Sequence, residues 1–348
     1  MSGPDAPYRC AVSIYAARET PAVLLQTVMC ALRGAAELNN AVVDVLVNGN
    51  PSLADELAAS AALLAMVPAS VRLRIWSFSV GDKAFTWSEY VHRIAPQATT
   101  SVFVDGYARV GPGAFASLEK TLAASPSALA VTGVPRYGRS ARRLAEEMRA
   151  EGGLHGNLYA LGSRAMAQLQ SLNFRLPLGL YRTDSALGAA LTLGLGLLER
   201  EWRPLERIAL DENAAWEVDT LRWYRPADLR TWMRRRRRQS QGALENAALN
   251  QWYVKDRLPL ESLPGTSAEL IARWAAAAPE ESAGLLKRYG STARAPASNS
   301  LPNAQDQATH RCLLDMTGSL SHAMSEQPGT TVVGPALNRR PSGERPRS

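Results

Sequence analysis

Residues 41–47 read AVVDVLV and are followed at once by Asn48-Gly49-Asn50-Pro51. A nearly continuous apolar run of this length is typical of a strand that is buried on both faces of a parallel sheet. Asn, Gly and Pro residues then form the turn that ends such a strand. This stretch therefore predicts an inner strand of an α/β sheet.

The residues around this strand alternate between strand and helix patterns. Residues 10–16 (CAVSIYA) form an apolar, β-compatible run, and Thr20-Pro21 is a typical start for a helix over residues 21–33. Further predicted elements are a helix over 53–66, a strand over 71–78, a helix over 86–94 and a strand over 101–104. This alternation predicts a doubly wound, mostly parallel sheet flanked by helices.

Ligands bind at the carboxyl ends of the strands in such a sheet, and this rule selects Glu19, Asn48 and Asp105. Asp105 precedes Gly106 at the end of a buried strand, where a carboxylate can hold a divalent cation against a diphosphate. The alternative is a purely structural aspartate, because Asp-Gly is a common turn pair.

The second half of the chain is less regular. Its predicted elements are a strand over 129–132 and helices over 115–124, 139–149, 163–172 and 185–198. The Gly-rich segment 152–157 contains His155, a candidate metal ligand or proton-transfer group whose alternative role is structural. Asp184 precedes a predicted helix, so that it is a candidate general base, a helix N-cap, or both.

The net charge of +7 is concentrated in one place, since residues 222–238 contain eight arginines and the single acid Asp228. The rest of the chain is neutral overall, which disfavours a nucleic-acid-binding protein. Arginine side chains bind phosphate in a bidentate manner. The run Arg234–Arg238 is therefore a candidate phosphate-binding segment, a solvated helix face, or a docking site for an anionic membrane or polymer.

Composition narrows the class of protein. The chain has 348 residues, of which 46% are hydrophobic, which suits one large domain or two small ones. No apolar run reaches the ~18 residues of a membrane span, and the first residues do not resemble a signal peptide. Three cysteines are too few for a disulfide framework or a zinc cluster. We expect a cytoplasmic protein.

Other patterns are absent or confined to the end of the sequence. The chain contains no Gly-x-Ser-x-Gly elbow, no Walker phosphate loop, and no Gly-x-Gly-x-x-Gly after the first strand.

Trp76 and Trp87 are predicted to be core residues, with Trp87 also a candidate to stack on a sugar or base. After about residue 292 the composition becomes polar, which predicts a largely disordered tail with room for a short helix over 310–316.

The order of these features resembles the family-2 glycosyltransferases, which have the GT-A fold. The resemblance spans residues 9–250 and rests on the following segments: VSIYAARE (12–19), VLVNGN (45–50), GDKA (81–84), FVDGY (103–107), LGLYRTD (178–184) and RRQSQG (237–242). Tyr107 stands where the second aspartate of the family's Asp-x-Asp motif is usual, and Asn48 stands where an acid is usual.

The resemblance implies an inverting transfer of a sugar from a nucleotide diphosphate sugar to an acceptor hydroxyl. Asp184 would be the catalytic base, and Asp105 would hold Mn²⁺ or Mg²⁺. The implied donor-binding residues are Glu19, Asn48, Lys83, Asp105, Arg238 and Gln239. The candidates for contact with the sugar or acceptor are Tyr107, His155 and Asn157.

The resemblance also implies a domain organisation and partners. We expect a glycosyltransferase domain over 1–250, with a nucleotide-binding half over 9–110 and an acceptor half over 111–250. A helical extension over 251–291 and the tail over 292–348 would follow. The acceptor would be a surface glycan or a lipid-linked molecule at the inner face of the membrane. Two alternatives are a diverged, non-catalytic protein that docks on an anionic surface and a nucleotidyltransferase, although residues 16–19 match the latter's Gly-rich loop poorly.

Overall fold

The structure is a computed structural model that describes residues 7–137, 139–196, 201–219, 226–290 and 310–318. The strands are β1 (Tyr8–Ala16), β2 (Ala41–Asn48), β3 (Val71–Phe78), β4 (Ala98–Asp105), β5 (Arg109–Val110), β6 (Ala130–Pro135), β7 (Leu158–Gly162), β8 (Ile208–Glu217) and β9 (His310–Thr317). In the described residues they form one sheet in the order β5-β8-β6-β7-β4-β1-β2-β3-β9.

Helices cover both faces of this sheet. They are α1 (Pro21–Ala36), α2 (Pro51–Ala58), α3 (Ala61–Leu64), α4 (Lys83–Glu89), α5 (Ala114–Ala124), α6 (Arg139–Glu151), α7 (Ser163–Ser171), α8 (Thr183–Thr192), α9 (Pro204–Arg207), α10 (Pro226–Asn250), α11 (Ser267–Ala277) and α12 (Pro279–Leu285). Along β2, Leu46 packs into one hydrophobic cluster and its neighbours Val45 and Val47 pack into the other. Both faces of the central strands are therefore buried.

The first half of the chain confirms the predicted α/β arrangement. Strands β1 to β4 pair with one another in parallel, and all eight residues of β2 are buried. Pro21 lies in the first turn of α1, and the side chain of Thr20 accepts a hydrogen bond from the backbone N–H of Val23. Because these strands are parallel and are connected by helices, the carboxyl ends of β1, β2 and β4 lie at one edge of the sheet.

The second half makes the sheet mixed. Strand β7 is antiparallel to β4 and β6, whereas β8 is parallel to β6 and antiparallel to β5. The sequence did not predict β7 or β8. Strand β7 is short and follows a Gly-rich segment, and β8 contains the polar run Asp211-Glu212-Asn213, which interrupts its apolar pattern.

Several helix boundaries differ from the predicted ones for local reasons. The helix predicted over 53–66 is divided at Ser60, whose side chain caps α3 by accepting the backbone N–H of Leu63 at 3.3 Å. The helix predicted to continue to residue 198 ends at Thr192, because Gly194, Leu195 and Gly196 all have a positive φ. Residues 197–200 lie outside the described part of the chain.

Residues 310–317 form a strand rather than the short helix that the sequence suggested. Strand β9 pairs antiparallel with β3, and Arg72 makes a bidentate ion pair with Asp315 at 2.6 and 2.7 Å. Its partners lie more than two hundred residues away in the sequence, so that local composition did not reveal the pairing. The rest of the predicted tail, residues 292–309 and 319–348, lies outside the described residues.

Candidate active site

The ends of β1 and β4 lie side by side, with Tyr15 paired to Asp105 in the parallel register. The backbone N–H of Gly106 donates to the carbonyl of Tyr15 at 2.8 Å. A Cβ at position 106 would lie 2.8 Å from this same oxygen and 3.0 Å from the Cβ of Ala16. Only glycine therefore lets the chain cross the end of β1 directly after Asp105.

The carboxylate of Asp105 has a partner on each oxygen. Its Oδ1 is in an ion pair with the ammonium of Lys83, and its Oδ2 accepts a hydrogen bond from the Tyr107 hydroxyl at 3.0 Å. The Asp105 side chain is 13% exposed and the Lys83 side chain 33%, so that both groups remain partly accessible to solvent. The sequence candidates Lys83, Asp105 and Tyr107 thus form one contact group.

Lys83 is the centre of positive charge in this group. It is the first residue of α4, and its Nζ lies 5.8 Å from the centroid of the Tyr15 ring. Burial lowers the pKa of Lys83, but the negative charges of Asp105, Asp184 and Glu19 outweigh that effect and raise the pKa above its ordinary value. The charges of three carboxylates from three separate segments therefore act on one ammonium, and Asp105 is in direct contact with it.

Asp184 lies in the first turn of α8, although it does not cap the helix. The N-cap position belongs to Arg182, and Asp184 Oδ1 accepts the backbone N–H of its own neighbour Ser185 at 3.0 Å. Its Oδ2 accepts the backbone N–H of Gly156 at 3.3 Å, and the Arg182 guanidinium lies 3.7 Å from Oδ1. These contacts hold a partly exposed carboxylate, and its negative charge acts on Lys83.

His155 and Asn157 lie on the segment that contacts Asp184. The His155 ring stacks on Trp216 with 4.8 Å between ring centroids, and its Nδ1 accepts the backbone N–H of Asn157 at 3.3 Å. Burial lowers the pKa of His155, whereas the nearby charges of Asp184 and Asp105 oppose the shift. Asn157 is buried, and its carbonyl accepts the backbone N–H of Asp105 at 3.4 Å. Both residues therefore border the cluster.

The loop before Asp184 is held by residues that the sequence analysis did not select. Asp82 caps α4 with one oxygen and accepts the backbone N–H of Gly179 with the other, at 2.6 Å. The side chain of Gln241 donates to the Gly179 carbonyl at 3.0 Å. Gly179 has a φ of 76°, a conformation that favours glycine. The loop thus connects α4, which carries Lys83, to α10.

Glu245 is the buried anchor of this loop. Its carboxylate accepts the backbone N–H groups of Tyr181 and Arg182, the side-chain amide of Gln241 and the hydroxyl of Ser267, all within 3.1 Å. Burial raises the pKa of Glu245, and these hydrogen bonds oppose the increase. The only sequence clue was the i, i+4 spacing of Gln241 and Glu245 on one helix.

The predicted nucleotide-binding residues at the ends of β1 and β2 are largely engaged in backbone contacts. Glu19 Oε2 accepts the N–H groups of Ala17 and Arg18 at 2.6 and 2.9 Å. Asn48 is buried, and its side-chain amide donates to the carbonyl of Ala16 at 2.8 Å. Asn48 therefore supports the loop after β1, whereas the negative charge of Glu19 helps to raise the pKa of Lys83.

The remaining candidates are Arg238 and Gln239 on α10 and Trp87 on α4. Arg238 is partly buried and Gln239 is exposed on α10, and the loop before Asp184 is contacted instead by Gln241, Gly242 and Glu245 of the same helix. Trp87 is a core residue, as predicted: it is 1% exposed, and its indole donates to the Tyr159 hydroxyl at 3.0 Å.

The residues near Asp105 are a poor match to a protein-built cation site. Divalent cations prefer several oxygen ligands, and Mg²⁺ at phosphate sites is usually held by one or two carboxylates together with substrate phosphates and water. Asp105 supplies one carboxylate, and both of its oxygens already have hydrogen-bonding partners. Within the described ranges, no group of three or more His, Cys, Asp or Glu side chains is arranged to hold a metal ion. A cation at Asp105 would therefore need phosphate oxygens of the donor and water as its further ligands, and the metal role of Asp105 stays a prediction.

No protein-family model and no curated protein matches the chain. A similar solved structure is the mannosyltransferase PcManGT from Pyrobaculum calidifontis in complex with GDP-Man and Mn²⁺. The two chains are 15% identical, the match covers 83% of this chain and 81% of the other, and the TM-score is 0.49. Similarity at this level carries no ligand or residue role to this chain.

Proposed function

We propose that this protein is a glycosyltransferase that moves a sugar from a nucleotide diphosphate sugar to an acceptor hydroxyl with inversion. The observation that carries the proposal is the ion pair of Asp105 with Lys83 at the end of β4, which residues 156 and 157 link to Asp184: Asn157 accepts the backbone N–H of Asp105, and Gly156 donates to Asp184. One carboxylate follows β4 and the other lies in the first turn of α8. Such a transfer requires a positive group that stabilises the leaving diphosphate and a base that takes the proton of the acceptor hydroxyl.

In this proposal Asp184 is the general base. It takes the proton of the acceptor hydroxyl, whose oxygen then attacks the anomeric carbon of the donor. The bond from that carbon to the phosphate oxygen breaks, and its electron pair leaves with the nucleoside diphosphate. Attack from the opposite side inverts the anomeric configuration. The hydrogen bonds from Gly156 and Ser185 orient the Asp184 carboxylate for this step.

The remaining site residues have supporting roles in the proposal. The donor lies across the ends of β1 and β4, and Asn48 supports that end through Ala16. The residues proposed to bind the donor are Glu19, Lys83, Asp105, Arg238 and Gln239. The residues proposed to contact the sugar or the acceptor are Tyr107, His155 and Asn157. The acceptor is a glycan or lipid-linked molecule of surface polysaccharide synthesis, used at the inner face of the membrane.

Calorimetric titration tests the donor site directly. We expect one of UDP, GDP and their sugar conjugates to bind the purified full-length protein, and we expect Asp105→Ala to abolish that binding. Asp55→Ala is the matched control, because Asp55 lies exposed on α2. Binding of none of these nucleotides would contradict the proposal.

A second candidate function rests on α10. The arginine run 234–238 lies on this helix, where Arg236, Arg237 and Met233 are exposed. None of the described helices is long and apolar enough to cross a membrane. A non-catalytic protein that docks on an anionic surface through α10 would bind vesicles containing anionic lipid in a salt-dependent manner. That binding would persist in an Asp105→Ala, Asp184→Asn double variant and weaken in an Arg236→Ser, Arg237→Ser variant.

A further inference from the structure

We propose that the ammonium of Lys83 takes the place of a divalent cation in this site and binds the donor diphosphate without added metal. The inference rests on the proposed function and specifies how its donor site neutralises phosphate charge. It follows from three features of the described residues: the partners of Asp105, the position of Lys83, and the charges around it.

The partners of Asp105 exclude a second acidic ligand from the adjacent position. Two residues after Asp105 the chain carries Tyr107, whose hydroxyl donates to Asp105 Oδ2 at 3.0 Å. At position 107 a second carboxylate could bind a metal ion, whereas the phenol of Tyr107 donates a hydrogen bond to Asp105 instead. The other oxygen, Oδ1, accepts from Lys83. Asp105 is therefore arranged to hold an ammonium.

The position of Lys83 is not explained by helix stability. Lys83 is the first residue of α4, where the helix dipole disfavours a positive charge. Its Nζ lies 5.8 Å from the centroid of the Tyr15 ring, and a third of its side chain remains exposed. An ammonium has three N–H donors, and Asp105 Oδ1 accepts one of them. Lys83 is thus a positioned and partly exposed cation.

The charges around Lys83 indicate what it would bind. The negative charges of Asp105, Asp184 and Glu19 act on Lys83 and would oppose a diphosphate, whereas the Lys83 ammonium would attract it. Lys83 and Arg182 are the positive groups that act on the nearby His155. When the bond from the anomeric carbon to the phosphate oxygen breaks, the negative charge develops on that oxygen. Hydrogen bonds from a charged donor stabilise such a leaving group without any further reactant.

Calorimetry in the presence of EDTA tests this inference. The full-length protein is freed of metal and titrated with UDP and GDP, in EDTA and then with Mn²⁺. We expect a nucleoside diphosphate to bind in EDTA, with Mn²⁺ changing its Kd by less than about 3-fold. Lys83→Met should weaken binding by about 10-fold or more, because a charged hydrogen bond is lost. Lys83→Arg keeps the charge and should retain part of the affinity.

The matched control is Lys120→Met, because Lys120 is an exposed lysine on α5. Binding that requires Mn²⁺ and is unchanged in Lys83→Met would overturn the inference and leave the proposed function standing. Absence of binding in both conditions would overturn the proposed function, and the inference with it. If Lys83→Met does not fold, the comparison of EDTA with Mn²⁺ on the unsubstituted protein decides the question.

Discussion

Glu245 accepts the backbone N–H of Tyr181 with both carboxylate oxygens, at 3.1 and 3.0 Å. This contact fixes the loop before Asp184 to α10, although the two residues belong to separate segments of the chain. The loop also receives hydrogen-bonding partners from Asp82 and Gln241. The proposed base therefore owes its position to residues that do not themselves face the cluster.

We predict that Glu245→Gln lowers the free energy of unfolding by about 1–3 kcal/mol. The amide keeps the shape of the side chain, but its NH₂ group faces N–H and O–H donors that have lost their acceptor. Urea denaturation measures the loss. Glu269→Gln is the control, because Glu269 is exposed and its ion pair with Arg273 contributes little. Equal stability of the two variants would show that Glu245 is not an anchor.

We predict that Gly106→Ala destabilises the protein by about 1–3 kcal/mol, because its Cβ would be forced against the Tyr15 carbonyl. Gly284→Ala is the matched control, since a Cβ at that helical position meets nothing within 4 Å. The control should be neutral or stabilising by about 0.5–1 kcal/mol. Thermal unfolding of both variants gives the comparison, and a stable Gly106→Ala protein would contradict the close crossing of β1.

We predict that Asp184→Asn lowers the transfer rate by about 10²–10⁴-fold and leaves nucleotide binding unchanged. Asparagine keeps the size of the side chain but cannot accept the proton of the acceptor hydroxyl. A transfer assay and calorimetry on the same preparation separate the two effects. Asp55→Asn, an exposed change on α2, should alter neither quantity. Unchanged turnover in Asp184→Asn would remove it from the base role.

We predict that part of the stability depends on the neutral form of His310. This residue packs against Phe78 and Trp76, and burial lowers its pKa below the ordinary value, with Glu89 opposing and Arg93 reinforcing that shift. The unfolded chain therefore binds the proton more tightly, so that stability is full above the ordinary pKa and is lost as pH falls below about 6.5.

Unfolding free energies measured across this pH range test the effect of His310. The unsubstituted protein should lose more stability on acidification than His310→Phe, which keeps the ring contacts. His92 and His155 also have lowered pKa values and contribute equally to both proteins. Parallel curves for the two proteins would show that His310 does not contribute.

Local sequence patterns were enough to predict much of the fold and the main site candidates. Apolar runs separated by Gly, Asn and Pro predicted β1 to β4, because an inner strand buries every residue and its sequence shows that directly. The rule that ligands bind at strand ends then selected Asp105, and the position of Asp184 before a predicted helix marked it as a candidate. In the structure the negative charges of both act on the same lysine, and Asp105 is in an ion pair with it.

Long-range packing decided the rest. The pairing of β9 with β3, the contact between Lys83 and Asp105, and the Glu245 anchor all join segments that are far apart in the sequence. Residue type and periodicity describe what one segment does with its neighbours in the chain. They do not determine which buried donor meets which acceptor, because that depends on how separate elements pack. The sequence thus determined the sheet and its acidic residues, and only the tertiary structure paired Lys83 with Asp105.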